Sequence, residues 1–167
     1  MGSSPTLTTT HFLIMKIDLN KVDIKNKSAT FEFEILDKLT AGIVLTGTEI
    51  KSIRNQKVNV QDSFCQFKGS ELYIVNLHIG IYKEGTYNNH IPKRERKLLL
   101  KKSEIKKWNG KMQEKGLTII LTRLFINESG RCKVEIALSK GKKLHDKRES
   151  IKARDIDREM RKNLESN

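Results

Sequence analysis

Residues 117–126 and 131–138 are two β-prone runs separated only by Asn127-Glu128-Ser129-Gly130, and a short connection ending in glycine reads as a hairpin turn. A second pair, residues 58–67 and 71–81, flanks Lys68-Gly69-Ser70 in the same way. Residues 30–36 (TFEFEIL) alternate apolar with polar, the period of a half-buried strand, and residues 41–45 offer another strand before Gly47. No strand-helix-strand alternation runs through the chain, which excludes doubly wound parallel folds. The expected fold class is all-β dominated with inserted helices: a small closed antiparallel barrel of about six strands, whose closure removes exposed strand edges.

Two helical insertions interrupt the strands. Ile50 and Ile53 stand three apart in TGTEIKSIR (residues 46–54), as a short helix requires. Ser103 can cap a longer helix running through Trp108 and Met112 to Lys115, with an earlier start near Arg94 also allowed and Gly116 at the stop position. Residues 82–92 carry Gly85, Asn88, Asn89 and Pro92 and are expected to form a loop. Residues 1–22 are expected to be a disordered, dispensable leader. They lack a basic region and a small-residue cleavage pattern, so they do not read as a signal peptide.

Charge limits the partners. The 167 residues hold 33 Lys or Arg against 20 Asp or Glu, a formal net charge of +13, so the surface attracts polyanions. Between Lys93 and Lys107 eight basic residues face only Glu95 and Glu104, around the apolar triplet Leu98-Leu99-Leu100. A patch of that density touching several phosphates would bind RNA with steep salt dependence. From residue 141 onward the chain is expected to be a mobile basic tail. Ala153, Ile156, Met160 and Leu164 form one apolar stripe there, and the remainder is too charged to hold a core alone.

Catalysis has no visible seat in the sequence. His11, His78, His90 and His145 have no metal-ligand spacing, and there is no nucleophile elbow or phosphate-binding glycine loop. Glu32 and Glu34 read as the polar side of a strand rather than an acid-base pair. Cys65 and Cys132 are too isolated for a disulfide framework or a zinc site, so no cofactor and no metal are expected, and a reducing cytoplasmic setting is. No apolar run is long enough to span a bilayer as a helix.

Three segments resemble one family in the right order: AGIVLTGTEIKSIR (residues 41–54), RKLLL (96–100) and GKKLHDKR (141–148), supported by residues 59–63 and by the triplet CKV at 132–134. They are similar to the SmpB (small protein B) family of transfer-messenger RNA partners. The resemblance implies an oligonucleotide-binding-fold (OB-fold) barrel over residues 23–140. It implies an adaptor, not an enzyme, that binds the tRNA-like domain of transfer-messenger RNA and delivers it to stalled ribosomes for trans-translation. The RNA-gripping residues it implies are Asn26, Lys27, Thr40, Ala41, Gly42, Lys97, Leu99, Cys132 and Lys133. Residues 141–167 would be a tail, disordered when free, that enters the empty mRNA channel and decoding region of the small subunit. Gly141, Lys142, Lys143, His145, Asp146, Lys147 and Arg148 would make its contacts, with the His145 ring stacking on ribosomal RNA. Thr40 stands where many members carry Glu, so a carboxylate contact there is lost or replaced by a hydroxyl. The expected protein is a cytoplasmic monomer without membrane contact. A general single-strand binder or ribosomal protein, and an RNA-processing enzyme, are the competing readings.

Overall fold

The computed structural model describes residues 22–114, 116–143 and, further on, Ile151, Lys152, Asp155, Ile156, Arg158, Met160 and Arg161. Among these there are nine strands: β1 (Asp23–Lys25), β2 (Phe33–Ile43), β3 (Val58–Asn59), β4 (Phe64–Lys68), β5 (Glu71–Val75), β6 (His78–Ile79), β7 (Arg96–Leu99), β8 (Leu117–Ile126) and β9 (Cys132–Gly141). Within residues 22–143 three α-helices accompany them: α1 (Ala29–Glu32), α2 (Gly47–Arg54) and α3 (Lys102–Lys111). Six strands pair antiparallel in the order β8-β4-β5-β7-β2-β9, and β9 pairs back onto β8, so the sheet closes into a ring. β1 adds to the outer flank of β8, while β3 and β6 form a separate two-stranded ladder.

The interior follows from the two-residue period of the strands. Ala41 and Ile43, Leu72 and Ile74, Leu98, Ile119, Leu121 and Leu124, and Val134, Ile136 and Leu138 all turn into one apolar cluster. Trp108 of α3 and Ile53 of α2 join it, each essentially without exposed surface. Truncating Trp108 to Ala would cost about 3–5 kcal/mol, the usual range for removing a buried aromatic. A smaller cluster on the other face of the ring packs Ala29 of α1 on Ile120 and Ala137, so β8 is covered on both sides over part of its length.

The strand following α1 differs from its expected form. Residues 30–36 and 41–45 were expected to be two strands; instead residues 30–32 belong to α1, and Phe33–Ile43 is one continuous strand. The less exposed positions stay on the odd-numbered residues from Phe33 to Ile43, but the sequence interrupts the apolar-polar order midway: Leu36, the extra residue at the register shift between Ile35 and Asp37, is exposed, and Asp37 takes a half-buried position. The turn of α1 is fixed from outside. Asn26 Oδ1 accepts hydrogen bonds from Ser28 Oγ at 2.8 Å and from the Ala29 amide at 3.3 Å.

Two other boundaries are corrected. No helix starts near Arg94, since residues 96–99 are a central strand; α3 begins at Lys102, where Glu104 reaches back to the Lys101 amide at 2.8 Å. It ends at Lys111 rather than Lys115. The β-prone runs 58–67 and 71–81 each divide into two shorter strands, with the hairpin turn at Gly69, φ 61°. The last hairpin has Gly130 at φ 73°, the backbone region that glycine occupies at least cost.

Both ends of the body formed by residues 22–143 are tied in. Val22 is buried and its carbonyl accepts from the Ile126 amide at 3.0 Å. β9 runs through Gly141, and beyond it the Lys142 amide donates to the Glu32 carbonyl at 3.0 Å.

Candidate nucleic-acid interface

Strand register brings distant parts of the sequence into one row. Gly42 of β2 stands opposite Leu99 of β7 on one side and opposite Lys133 of β9 on the other. Lys133 in turn faces Phe125 of β8. Residues from three separate motifs therefore lie side by side across neighbouring strands. Leu99 is 55% exposed although the adjacent Leu98 is buried, because the strand alternates between the two faces of the ring. Gly42, Leu99, Cys132 and Lys133, with Thr46 and Ile50 at the rim, line an open depression of about 390 Å³. Gly42 keeps it open: a Cβ there would sit 3.3 Å from Leu99 Cβ.

The row one pleat away carries polar side chains. Thr40 pairs with Glu135, Glu135 with Arg123, and Arg123 with Lys25. Lys25, Lys27, Lys38 and Arg123 border a second hollow of about 420 Å³. Their charges are partly held by acids. The Glu135 carboxylate accepts from Lys38 Nζ at 3.2 Å and from Thr122 Oγ1 at 2.8 Å; burial alone would raise its pKa, but these donors bring it below the ordinary glutamate value. Arg123 grips Asp23 through two nitrogens at 2.6 and 3.0 Å and lies over the Phe125 ring at 4.6 Å.

On the other side of Leu99 a third hollow of about 690 Å³ opens between β7 and α3, bordered by Lys97, Lys102 and Lys106. Lys97 pairs with Glu71, whose hydrogen bond holds the ammonium pKa above its ordinary value.

Other basic and polar residues serve the fold. Arg96 is fully buried. Its guanidinium donates to Glu49 at 2.9 Å and to the carbonyls of Leu77, Arg94 and Pro92 at 2.6, 2.9 and 3.0 Å. Arg94 adds two bonds to the same carboxylate at 2.7 and 2.6 Å. Burial would raise the Glu49 pKa, but Arg94, the Thr46 amide and Arg96 together bring it below its ordinary value. The dense basic run near RKLLL is therefore split: Arg94 and Arg96 neutralise a buried acid, while Lys97 pairs with Glu71 at the surface.

Asn26 is likewise committed inward. Its Nδ2 donates to the carbonyls of Leu121 at 2.9 Å and Val60 at 3.3 Å, while Oδ1 caps the turn into α1. Ala41 is buried beneath the row, whereas Thr40 and Lys27 are exposed. Cys132 is mostly buried, and burial pushes its thiol to about 12; Cys65 is also buried and its thiol is raised. His90 sits between Thr48 Oγ1 at 2.9 Å and the Ile79 carbonyl at 3.1 Å, a packed histidine bridging α2 and β6. Among the described residues no cluster of His, Cys, Asp and Glu could hold a metal, and no helix is long and apolar enough to cross a membrane.

Of the tail residues, Gly141 ends β9, and Lys142 and Lys143 follow it. Lys142 Nζ donates to the Thr30 carbonyl at 3.0 Å, which ties the start of the tail to α1. His145, Asp146, Lys147 and Arg148 lie outside the described residues. Ile151, Ile156 and Met160, where described, are helical and exposed.

The sequence model of the family described as "SmpB protein" matches residues 23–166. The chain is 58% identical over 142 residues to the SsrA-binding protein of Flavobacterium psychrophilum, covering 85% of this chain and 95% of that protein. It is 55% identical over 144 residues to the SsrA-binding protein of Cytophaga hutchinsonii, covering 86% and 94%. Among solved structures, one described as "tmRNA-SmpB: a journey to the center of the bacterial ribosome" contains a similar chain. It has a TM-score of 0.65 and 42% identity, covering 78% of this chain and 94% of that one.

Proposed function

The chain belongs to the SmpB protein family, and from that membership we propose that it binds the tRNA-like domain of transfer-messenger RNA and delivers it to stalled ribosomes for rescue and peptide tagging. The observation that carries the reading is the row Leu99–Gly42–Lys133. It offers an apolar contact, a place where backbone can be approached closely, and a cation, all on one rigid face. A folded RNA elbow needs that combination, because phosphates alone position an RNA without distinguishing its shape. The lysines on either side, Lys97, Lys102 and Lys106 beyond Leu99 and Lys25, Lys27 and Lys38 beyond Lys133, extend the attraction along the backbone.

In this reading the six-stranded ring is an OB-fold-like closed barrel, and the protein is a cytoplasmic adaptor that catalyses no reaction. The tail from Gly141, with His145, Asp146, Lys147 and Arg148, occupies the vacant mRNA channel and decoding region. A cationic segment of that kind orders only where RNA surrounds it, since the ordering entropy is offset there by phosphate contacts. Competition between the tRNA-like domain and an unstructured RNA of equal charge tests the RNA half. The tRNA-like domain should win by at least tenfold at about 150 mM salt; equal affinity would favour a general single-strand binder.

A further inference from the structure

The loop between β6 and β7 holds side chains that neither the depression nor the core uses. Tyr87 is 92% exposed at its tip, and Ile91 and Ile81 are 72% and 56% exposed on its two arms. This exposure belongs to a loop that is fastened. The Asn89 carboxamide accepts from the Tyr82 amide at 3.0 Å and donates to the Tyr82 carbonyl at 2.6 Å, closing the loop across seven residues. Gly85 packs so closely beneath it that a Cβ would lie 2.8 Å from Asn89 Nδ2. The two 3₁₀ turns of residues 83–88 are joined at Thr86 with φ 43° and ψ −129°, a conformation a threonine rarely holds without a reason.

The loop is thus built to present an aromatic ring to solvent, and its surroundings are cationic. Lys83 lies in the loop and Lys93 follows its exit. Lys51 sits over the Tyr82 ring at 5.2 Å, and the Gly80 amide is bonded to the Lys57 carbonyl at 2.8 Å. Between Gly80 and Glu95 the acids are Glu84 and Glu95, against Lys83, Lys93 and Arg94. An exposed ring on a loop that carries Lys83, is followed by Lys93 and has Lys51 against its base fits a partner that is both anionic and planar, which is an unpaired nucleotide rather than an acidic peptide. Helix α2 connects this surface to the depression, giving Gly47 and Ile50 to the depression and Thr48 and Lys51 to the loop.

We propose that the Tyr87 loop is a second contact for the same tRNA-like RNA, in which one unpaired base stacks on the Tyr87 ring while the nearby lysines neutralise its flanking phosphates. The inference rests on the RNA-binding reading and adds a site to it. The occupant is that RNA, because the one helix α2 borders both the depression and the loop.

The experiment uses the full chain carrying Tyr87→Trp, with the transcribed tRNA-like domain as probe. Trp108 is buried, so the new exposed indole reports the loop. Its emission should be quenched as RNA is added, with the same midpoint that gel shift gives for the wild-type protein. Tyr87→Ala should weaken binding about five- to one-hundredfold with unchanged thermal unfolding, and Tyr87→Phe should retain affinity. Normal RNA binding with no quenching and no loss in Tyr87→Ala would overturn the proposal while leaving the RNA reading intact. Absence of RNA binding by the wild type would overturn both. A Tyr87→Ala protein that bound the RNA normally but associated poorly with small ribosomal subunits would assign the loop to another partner, and so overturn it as well.

Discussion

Glu49 and Arg96 meet in the protein interior, Oε1 to Nε at 2.9 Å, and neither side chain has any exposed surface. The acid comes from α2 and the base from the central strand β7, so the pair fixes the helix against the ring next to the depression.

Replacing Glu49 by Gln leaves the Arg96 charge buried with no counter-charge. The expected cost is about 3–5 kcal/mol, the range measured when one partner of a buried ion pair is removed. Urea unfolding of Glu49→Gln beside the wild type measures it, and a loss below about 1 kcal/mol would mean that the backbone carbonyls around Arg96 suffice.

The same carboxylate gives the fold a sensitivity to acid. Its folded pKa lies below the unfolded value of 4.5, so its contribution is fully present above that value and is lost as pH falls through the folded pKa. Urea midpoints from pH 7 down to pH 3 should decline more steeply in the wild type than in Glu49→Gln. Parallel curves for the two proteins would contradict the assignment.

Arg96 also shows where sequence and structure part. Within RKLLL, the order of apolar and basic residues is plain, but which basic residue points inward depends on the phase of β7. That phase is set by pairing with β5 and β2, and it turns Arg96 and Leu98 inward and Lys97 and Leu99 outward. The last hairpin was legible because its turn and both strands are local. The long strand β2 was not, because an exposed Leu36 at the bulge and a half-buried Asp37 after it interrupt the apolar-polar order by which a strand is recognised. The motif residues Gly42, Leu99 and Lys133 could be picked out by resemblance, whereas their meeting in one row follows only from register. Asn26 and Ala41 are among the RNA-gripping residues that the resemblance implies, yet their side chains are enclosed by the fold. The Tyr87 loop gave no signal beyond a turn-rich composition, since the carboxamide clasp that shapes it joins residues seven apart.

Within the row, Lys133 and Leu99 should fail in different ways. Lys133→Ala removes a phosphate contact, so it should lower affinity and reduce the slope of log affinity against log salt by about 0.7–0.9. Leu99→Ala should lower affinity with the slope unchanged, because it removes apolar contact and no charge. Filter binding between 50 and 300 mM salt, ranges over which phosphate contacts change affinity by about a thousandfold, separates the two. Identical slopes for Lys133→Ala and the wild type would remove Lys133 from the phosphate-contacting set.

The two thiols should be silent in the native protein. Burial keeps Cys65 and Cys132 protonated at neutral pH, and a thiol rather than a thiolate is a poor nucleophile. Iodoacetamide at pH 7.5 should leave both unmodified in folded protein and alkylate both in urea, as read by intact mass. Rapid labelling of Cys132 in the native state would show that the floor of the depression opens.

The body that binds RNA and the tail that acts on the ribosome should be separable. The body is tied down through Lys142, so the dividing cut belongs after Lys143. The decisive measurement compares the full chain with one ending at Lys143, for affinity toward the tRNA-like domain and for peptide tagging on stalled ribosomes. The shortened protein should keep its RNA affinity within about threefold, less than one lost phosphate contact would change it, and tag nothing. Loss of both properties together, or tagging that survives the cut, would contradict the account.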